Sequence, residues 1–109
     1  MGSSRQSESV AARKAAMQKH RRFLKDLRTA FKAECSRITD ASKKKIDKIP
    51  ESDKERRQIV LKEEEKALDK VLAELNSAIA NANRELLKTL EDLDRAKDEQ
   101  ELNGLLEEM

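Results

Sequence analysis

The first half of the chain carries large apolar residues at helical spacing. They recur every seven residues, at Val10, Met17, Leu24, Phe31 and Ile38. Leu27 fills the companion position of this heptad. From Leu24 onward an eleven-residue repeat describes the pattern better, through Leu24, Leu27 and Phe31, then Cys35, Ile38 and Ser42, then Ile46 and Ile49. Since such a repeat has 3.67 residues per turn, close to the α-helical value, the pattern predicts one helix over residues 9–48.

The second half carries a longer apolar stripe with the same period. Its large members are Leu68, Leu72, Leu75, Ile79, Leu86, Leu90 and Leu93. Leu68, Ile79 and Leu90 stand eleven residues apart, so the two halves share a repeat. Small apolar residues such as Ala67, Ala78 and Ala82 widen the stripe beyond a two-stranded seam. A second helix over residues 52–102 is therefore expected to contact more than one neighbouring helix.

The chain breaks between these helices at Pro50. Proline has no amide hydrogen and disfavours a helical conformation at the preceding Ile49, whereas it suits the start of a new helix. Ser52 and Glu55 then have the spacing of a capping box, in which the Ser52 hydroxyl would accept a hydrogen bond from the Glu55 amide. The sequence thus predicts a turn at residues 49–51.

Charge divides the chain at the same place. Residues 1–48 hold 14 Lys and Arg against 5 Asp and Glu, a net charge of +9, and residues 49–109 hold 10 against 17, a net charge of −7. Arms of opposite charge attract each other, which favours a chain folded back at Pro50 over one continuous kinked helix. Such a fold would place residue n roughly opposite residue 101 − n and leave residues 94–109 overhanging.

Composition excludes most other fold classes. With 2 Gly and 1 Pro in 109 residues there is little from which to build the turns of a β-rich fold, and 2% aromatic residues exclude an aromatic core. A disordered charged chain is the alternative that the apolar spacing disfavours. We predict an all-α protein, with two long helices in an antiparallel αα-hairpin or coiled coil that assembles into a helical bundle. A polar tail is expected at residues 1–8 and another at 103–109, where Gly104 can end the helix.

Motifs of catalysis and of metal or cofactor binding are missing from the sequence. It contains no Gly-rich phosphate loop, HExxH motif, nucleophile elbow or paired Cys motif, so we expect no enzyme, no cofactor and no metal site. His20 is interpreted as a solvated helix position, and the single Cys35 as a small packing residue of a protein from a reducing compartment. No apolar run approaches the length of a membrane span.

Two sets of residues remain as candidate interaction sites. The apolar set is expected to form the hairpin or oligomer interface and comprises Met17, Leu24, Leu27, Phe31, Ile38, Leu68, Leu72, Leu75, Ile79, Leu86, Leu90 and Leu93. The basic set, the Lys/Arg face of residues 13–45, comprises Arg13, Lys14, Lys19, Arg21, Arg22, Lys43, Lys44 and Lys45. It could pair with the acidic arm, contact phosphates or direct nuclear import, or lie on a membrane surface. Phe23 and Phe31 are expected to be buried, which leaves no aromatic platform for stacking bases.

These observations predict a non-catalytic coiled-coil interaction subunit that assembles with itself or with partner helices as a scaffold component. The alternative is a chromatin-associated protein whose basic helix contacts nucleic acid. Expected partners are a second copy or a heteromeric coiled-coil protein, with nucleic acid as the partner in the alternative interpretation, and no small-molecule substrate is expected. An intracellular location, nuclear rather than cytoplasmic, accompanies this interpretation.

Overall fold

The chain folds as two long α-helices that pack against each other. In a computed structural model, α1 spans Gly2–Asp47 and α2 spans Lys54–Glu108. The structure describes residues 2–108, and the side chains of residues 8–96 and 98–107. This described part contains no strand. The predicted all-α helical hairpin is confirmed.

Both helices extend further than the sequence pattern indicates. Residues 2–8, expected as a tail, lie in α1, and α2 continues through Gly104 to Glu108. Gly104 does not adopt the positive φ of a helix C-cap. A glycine inside a helix costs only about 1 kcal/mol relative to alanine, too little to end a long helix by itself.

The turn between the helices is also longer than predicted. The last residues of the first arm tighten, with the Lys48 amide donating to the Lys45 carbonyl at 3.2 Å and the Ile49 amide to the Ile46 carbonyl at 2.9 Å. Such i to i−3 bonds commonly finish a helix. The Asp53 amide then donates to the Pro50 carbonyl at 3.0 Å, which closes a four-residue turn before α2 begins.

Asp53, not Ser52, caps the start of α2. The Arg56 amide donates to Asp53 Oδ1 at 3.3 Å, and Arg56 Nε lies 3.6 Å from Asp53 Oδ2. The capping box predicted for Ser52 and Glu55 is therefore wrong by one residue. The turn hydrogen bond to Pro50 holds Asp53 at the N-cap position, and a carboxylate there also interacts favourably with the helix dipole.

Two units make up the hairpin, each containing a segment of both helices. The terminal unit combines the chain up to Leu24 with the chain from Ala80 onward, and the turn unit is Lys25–Ile79. In the turn unit, the seam consists of half-buried or buried residues at eleven-residue spacing: Leu27, Phe31, Cys35, Ile38, Ser42, Ile46 and Ile49 on the first arm, and Arg57, Val60, Glu64, Leu68, Val71, Leu75 and Ile79 on α2. In the terminal unit the seam comprises Ser9, Ala12, Ala16, His20, Leu24, Ala82, Leu86, Leu90 and Leu93.

Contacts within each unit correct the expected register. In the terminal unit Arg13 pairs with Asp94 and His20 with Asn83, and in the turn unit Arg57 bonds to Ile49. Residue n therefore lies opposite a residue near 105 − n, about one helical turn from the predicted 101 − n. The cause is the turn, because the first arm continues to Ile49 before the chain reverses. Asp94 accordingly has a partner on α1 and does not begin an overhang.

Candidate functional site

The seam itself is thin. Among the described residues, Ala82 is the only buried apolar residue and Ser42 the only buried polar one, and no side chain is completely buried. Two helices in contact share a single line of side chains, so even the leucines of the seam stay half-exposed. Small residues at Ser42 and Ala82 allow the backbones to approach closely. The hairpin thus forms a narrow seam and no extended core.

The structure separates the predicted interface residues into two groups. Ten of the twelve are half-buried, whereas Met17 and Leu72 are 45% and 46% exposed. Ala16 and Val71 occupy the seam in their place. The eleven-residue repeat accounts for both shifts, because Ala16 precedes the seam residue Leu27, and Val71 precedes Ala82, by eleven positions. Whether the twelve residues form an oligomer interface stays a prediction.

Many large apolar side chains lie on the surface. The exposed group comprises Val10, Met17, Phe23, Ile59, Leu61, Leu72, Leu87, Leu102, Leu105 and Leu106. The accessible surface is 9305 Å², whereas a compact monomer of 12.5 kDa exposes about 6,200 Å². The excess of about 3,100 Å² is larger than the about 1,000–2,500 Å² that each partner buries in an obligate protein–protein interface. The chain therefore presents apolar surface that a partner could cover.

One apolar groove lies in the terminal unit beside the seam. It has a volume of about 370 Å³ and is lined by Ala15, Ala16, Lys19, His20, Phe23, Ala82, Glu85, Leu86 and Thr89. Phe23, expected to be buried, is 48% exposed at this groove. The small alanines leave room for a bulky side chain, while Lys19 and Glu85 supply charge of both signs.

A polar pair interrupts the seam in the terminal unit. His20 Nε2 donates to Asn83 Oδ1 at 2.9 Å, because an amide oxygen can only accept and the ring nitrogen must carry the proton. His20 is half-buried and not the solvated residue that the sequence indicated. Its place follows from the eleven-residue repeat, since His20 precedes the seam residue Phe31 by eleven positions. A polar pair at a seam fixes register.

All eight predicted basic residues are exposed. Among them, Arg13 alone forms an ion pair with another described residue. Arg13 Nη1 lies 2.6 Å from Asp94 Oδ1. The remaining seven make no such contact in the described part of the chain: Lys14, Lys19, Arg21, Arg22, Lys43, Lys44 and Lys45. Among the described side chains, opposite charge on the two arms therefore produces one direct contact between the helices, and most of the basic face is left to solvent or to a partner.

Apolar and basic residues alternate along the start of α1. A shallow groove of about 440 Å³ is lined by Val10, Arg13, Lys14, Met17, Gln18 and Arg21. Val10 and Met17 are one heptad apart, and the basic side chains stand one turn from them. This surface combines apolar area with positive charge.

Chemically reactive groups are dispersed in the described part of the chain. No three His, Cys, Asp or Glu side chains there come together in a group that could hold a metal ion, and Cys35 is a free thiol. Neither described helix contains a stretch long and apolar enough to cross a membrane.

Comparison with known proteins yields no match, since no family model, curated protein or solved structure is detectably similar to this chain.

Proposed function

We propose that this protein is a non-catalytic helical-hairpin subunit that works by assembling with further helices, in copies of itself or in a partner. One observation carries the proposal: the hairpin has a seam without an extended core, and ten large apolar residues remain exposed outside it. A single seam of two helices supplies little stability, since conformational entropy opposes almost all of the burial. Covering these exposed residues with further helices would supply the missing burial.

Sedimentation equilibrium combined with circular dichroism over a concentration series tests this proposal. Helix content and molar mass that rise together with concentration support self-association. A chain that is largely unfolded at every concentration supports an obligate partner of another kind. A folded 12.5 kDa monomer whose melting is cooperative and independent of concentration would refute the proposal.

A second candidate function is binding to the phosphate backbone of nucleic acid. The observation that favours it is the row of exposed basic residues on α1 that form no ion pair with described residues, including Lys14, Arg21 and Arg22. Titration with duplex DNA over a salt series separates the two candidates. Affinity that falls steeply with salt, with a slope of several released counterions, supports nucleic-acid binding. Weak binding at about 150 mM salt would favour assembly over nucleic-acid binding. A nuclear location would follow only from nucleic-acid binding.

A further inference from the structure

The groove of about 370 Å³ in the terminal unit is built by both helices. Its lining includes Ala15, Lys19 and Phe23 from α1, and Ala82 and Glu85 from α2. Because these residues line one groove, they share one side of the unit, which we call the groove side. Phe23 is 48% exposed there and is the one exposed aromatic side chain of the described residues. A ring of this size gains much from a covering partner.

The register of the hairpin places complementary residues of the groove side at matching levels. The contacts between the helices of this unit set residue n of α1 level with a residue near 105 − n of α2. Lys19 is thereby level with position 86, next to Glu85, and Phe23 is level with Ala82. The groove side thus carries opposite charges at one level and, about one turn away, a bulky and a small apolar residue.

From this pattern we infer that a second copy of the chain covers the groove side. The two copies face each other about a two-fold axis that lies in the plane of the interface and runs parallel to the helices. Such an axis keeps every residue at its level and sets α1 of each copy against α2 of the other. The result is a four-helix bundle in which neighbouring helices are antiparallel. This inference rests on the proposed function and names its partner.

Complementary residues meet in this arrangement, and each contact occurs twice. Lys19 of one copy lies against Glu85 of the other, so opposite charges pair at the edge of the interface. Phe23 of each copy packs on Ala82 of the other, where the small residue leaves room for the ring. Neither Lys19 nor Glu85 forms an ion pair with a described residue of its own chain, so both are available for this contact.

Net charge favours this axis over a two-fold axis that crosses the helices. In the terminal unit, residues 8–24 hold 5 Lys and Arg against 1 Glu, a net charge of +4, and residues 80–107 hold 4 against 8, a net charge of −4. A crossing axis sets α1 against α1 and α2 against α2, so that like charges meet in both halves of the interface. The parallel axis sets the basic helix against the acidic helix in both halves.

The groove side is large enough for such a dimer. From Gly2 to Leu24, α1 extends about 34 Å at 1.5 Å per residue, and two helices side by side are about 20 Å wide. This side of the unit therefore has a planar area of about 700 Å². A stable interface buries about 1,200–2,000 Å² in total, or about 600–1,000 Å² from each copy. Docking by the groove side thus supplies the necessary area.

A charge-exchange experiment tests the inference. Lys19→Glu places two carboxylates against each other in both contacts, and Glu85→Lys does the same with two ammonium groups. We expect either change to raise the dimer dissociation constant about tenfold in sedimentation equilibrium. An equimolar mixture of the two variants restores opposite charges in both contacts, so its dissociation constant should return to within about threefold of the original value. The mixture also excludes a contact within one chain, because each chain in it carries two like charges.

Phe23 and Met17 provide a matched pair of substitutions. Both lie on α1 and are 48% and 45% exposed, but Met17 lines a different groove, with Arg13. Phe23→Asp places a carboxylate inside the interface, so we expect the dimer dissociation constant to rise by about a hundredfold or more. Met17→Asp changes the net charge equally and leaves the groove side intact. It should alter the dissociation constant by less than about threefold.

Three results would overturn the inference. They are a monomeric original chain, a mixture that associates no better than its components, and a Met17→Asp chain that dimerises as poorly as the Phe23→Asp chain. In the last two cases self-association remains, so the proposed function stands while this interface is wrong. A monomer that is unfolded alone leaves the proposed function to a partner of another kind, whereas a stably folded monomer refutes both. Should a charge variant lose its helix content when alone, recovery of helix and dimer in the mixture supports the interface, and no recovery counts against it.

Discussion

His20 and Asn83 show how a single hydrogen bond can set the alignment of two helices. Elsewhere the seam of the terminal unit consists of alanine, serine and leucine, whose packing is less specific for one register than a hydrogen bond is. The bond between His20 Nε2 and Asn83 Oδ1 forms only in one register. The pair therefore contributes to specificity more than to total stability.

We predict that a double-mutant cycle detects this bond. His20→Ala and Asn83→Ala should each lower the free energy of unfolding, and the coupling between them should be about 0.5–1 kcal/mol, the usual net value of one neutral hydrogen bond. Urea denaturation at fixed protein concentration measures all four chains. Additive effects of the two substitutions would mean that the bond does not form in solution.

Glu34 provides a pH-dependent contact on α1. Hydrogen bonds from Arg37, one from Nε at 3.1 Å and one from Nη2, lower the pKa of the Glu34 carboxyl below its ordinary value of 4.5, and partial desolvation opposes this effect. A lowered pKa means that the contact stabilises the helix above pH 4.5. The contribution is lost as the pH falls through the lowered pKa.

Arg37→Gln should move the Glu34 pKa back up towards its ordinary value, because it removes both the charge and the charge-assisted donors. Carbon-detected NMR titration of the Glu34 carboxyl measures the change. An unchanged Glu34 pKa would show that the pair is not populated.

At the scale of a helix, the start of α2 depends on Asp53. Its carboxylate accepts from the Arg56 amide and lies at the positive end of the helix dipole. We predict that Asp53→Ala lowers the free energy of unfolding by about 1 kcal/mol, while Ser52→Ala changes it by less than about 0.5 kcal/mol. Thermal melting of both variants measures the difference. The reverse order would restore the capping box that the sequence predicts at Ser52.

Seam and surface positions of α2 should respond differently to charge. Leu75 and Ile79 are half-buried seam residues, whereas Leu72 is exposed. Replacing Leu75 and Ile79 by Asp places two unpaired carboxylates against the opposite helix, so we expect loss of helix content and of assembly at neutral pH. Leu72→Asp should retain most of the helix signal in circular dichroism. Equal loss in both variants would mean that the seam is not centred as the structure has it.

The spacing of apolar residues was sufficient to predict these helices and much of the seam. Leu24, Phe31 and Ile38 satisfy both the seven- and the eleven-residue repeat, so either interpretation placed them correctly. The repeats diverge before Leu24, where the seam contains residues too small or too polar for a hydrophobic pattern to detect, such as Ser9 and His20. Leu72 and Val71 are adjacent and both apolar, and composition alone could not decide which of them faces α1.

For the whole molecule, register and helix ends were the least predictable features. The register and the helix ends at the turn depend on the six residues between Asp47 and Lys54, where backbone hydrogen bonds and not apolar spacing decide the path. The partly buried Arg57 illustrates this, since its guanidinium donates to the Ile49 carbonyl at 3.0 Å, a contact that no periodic pattern reveals. The exposed apolar surface, in contrast, follows directly from having only two helices, each of which can cover one line of side chains on the other.

The same surface leads to a calorimetric prediction for the whole chain. The hairpin hides about three-quarters of the surface that a compact monomer of its mass would hide on folding. The heat capacity of unfolding follows the buried surface, and a compact chain of 109 residues would give about 1.3–1.6 kcal/mol/K. We therefore expect about 1.0–1.2 kcal/mol/K for dilute protein, with a higher value per chain and a higher Tm at concentrations where copies associate. A compact-protein heat capacity together with a Tm that does not change over a hundredfold concentration range would contradict both the open surface and the assembly that we propose for it.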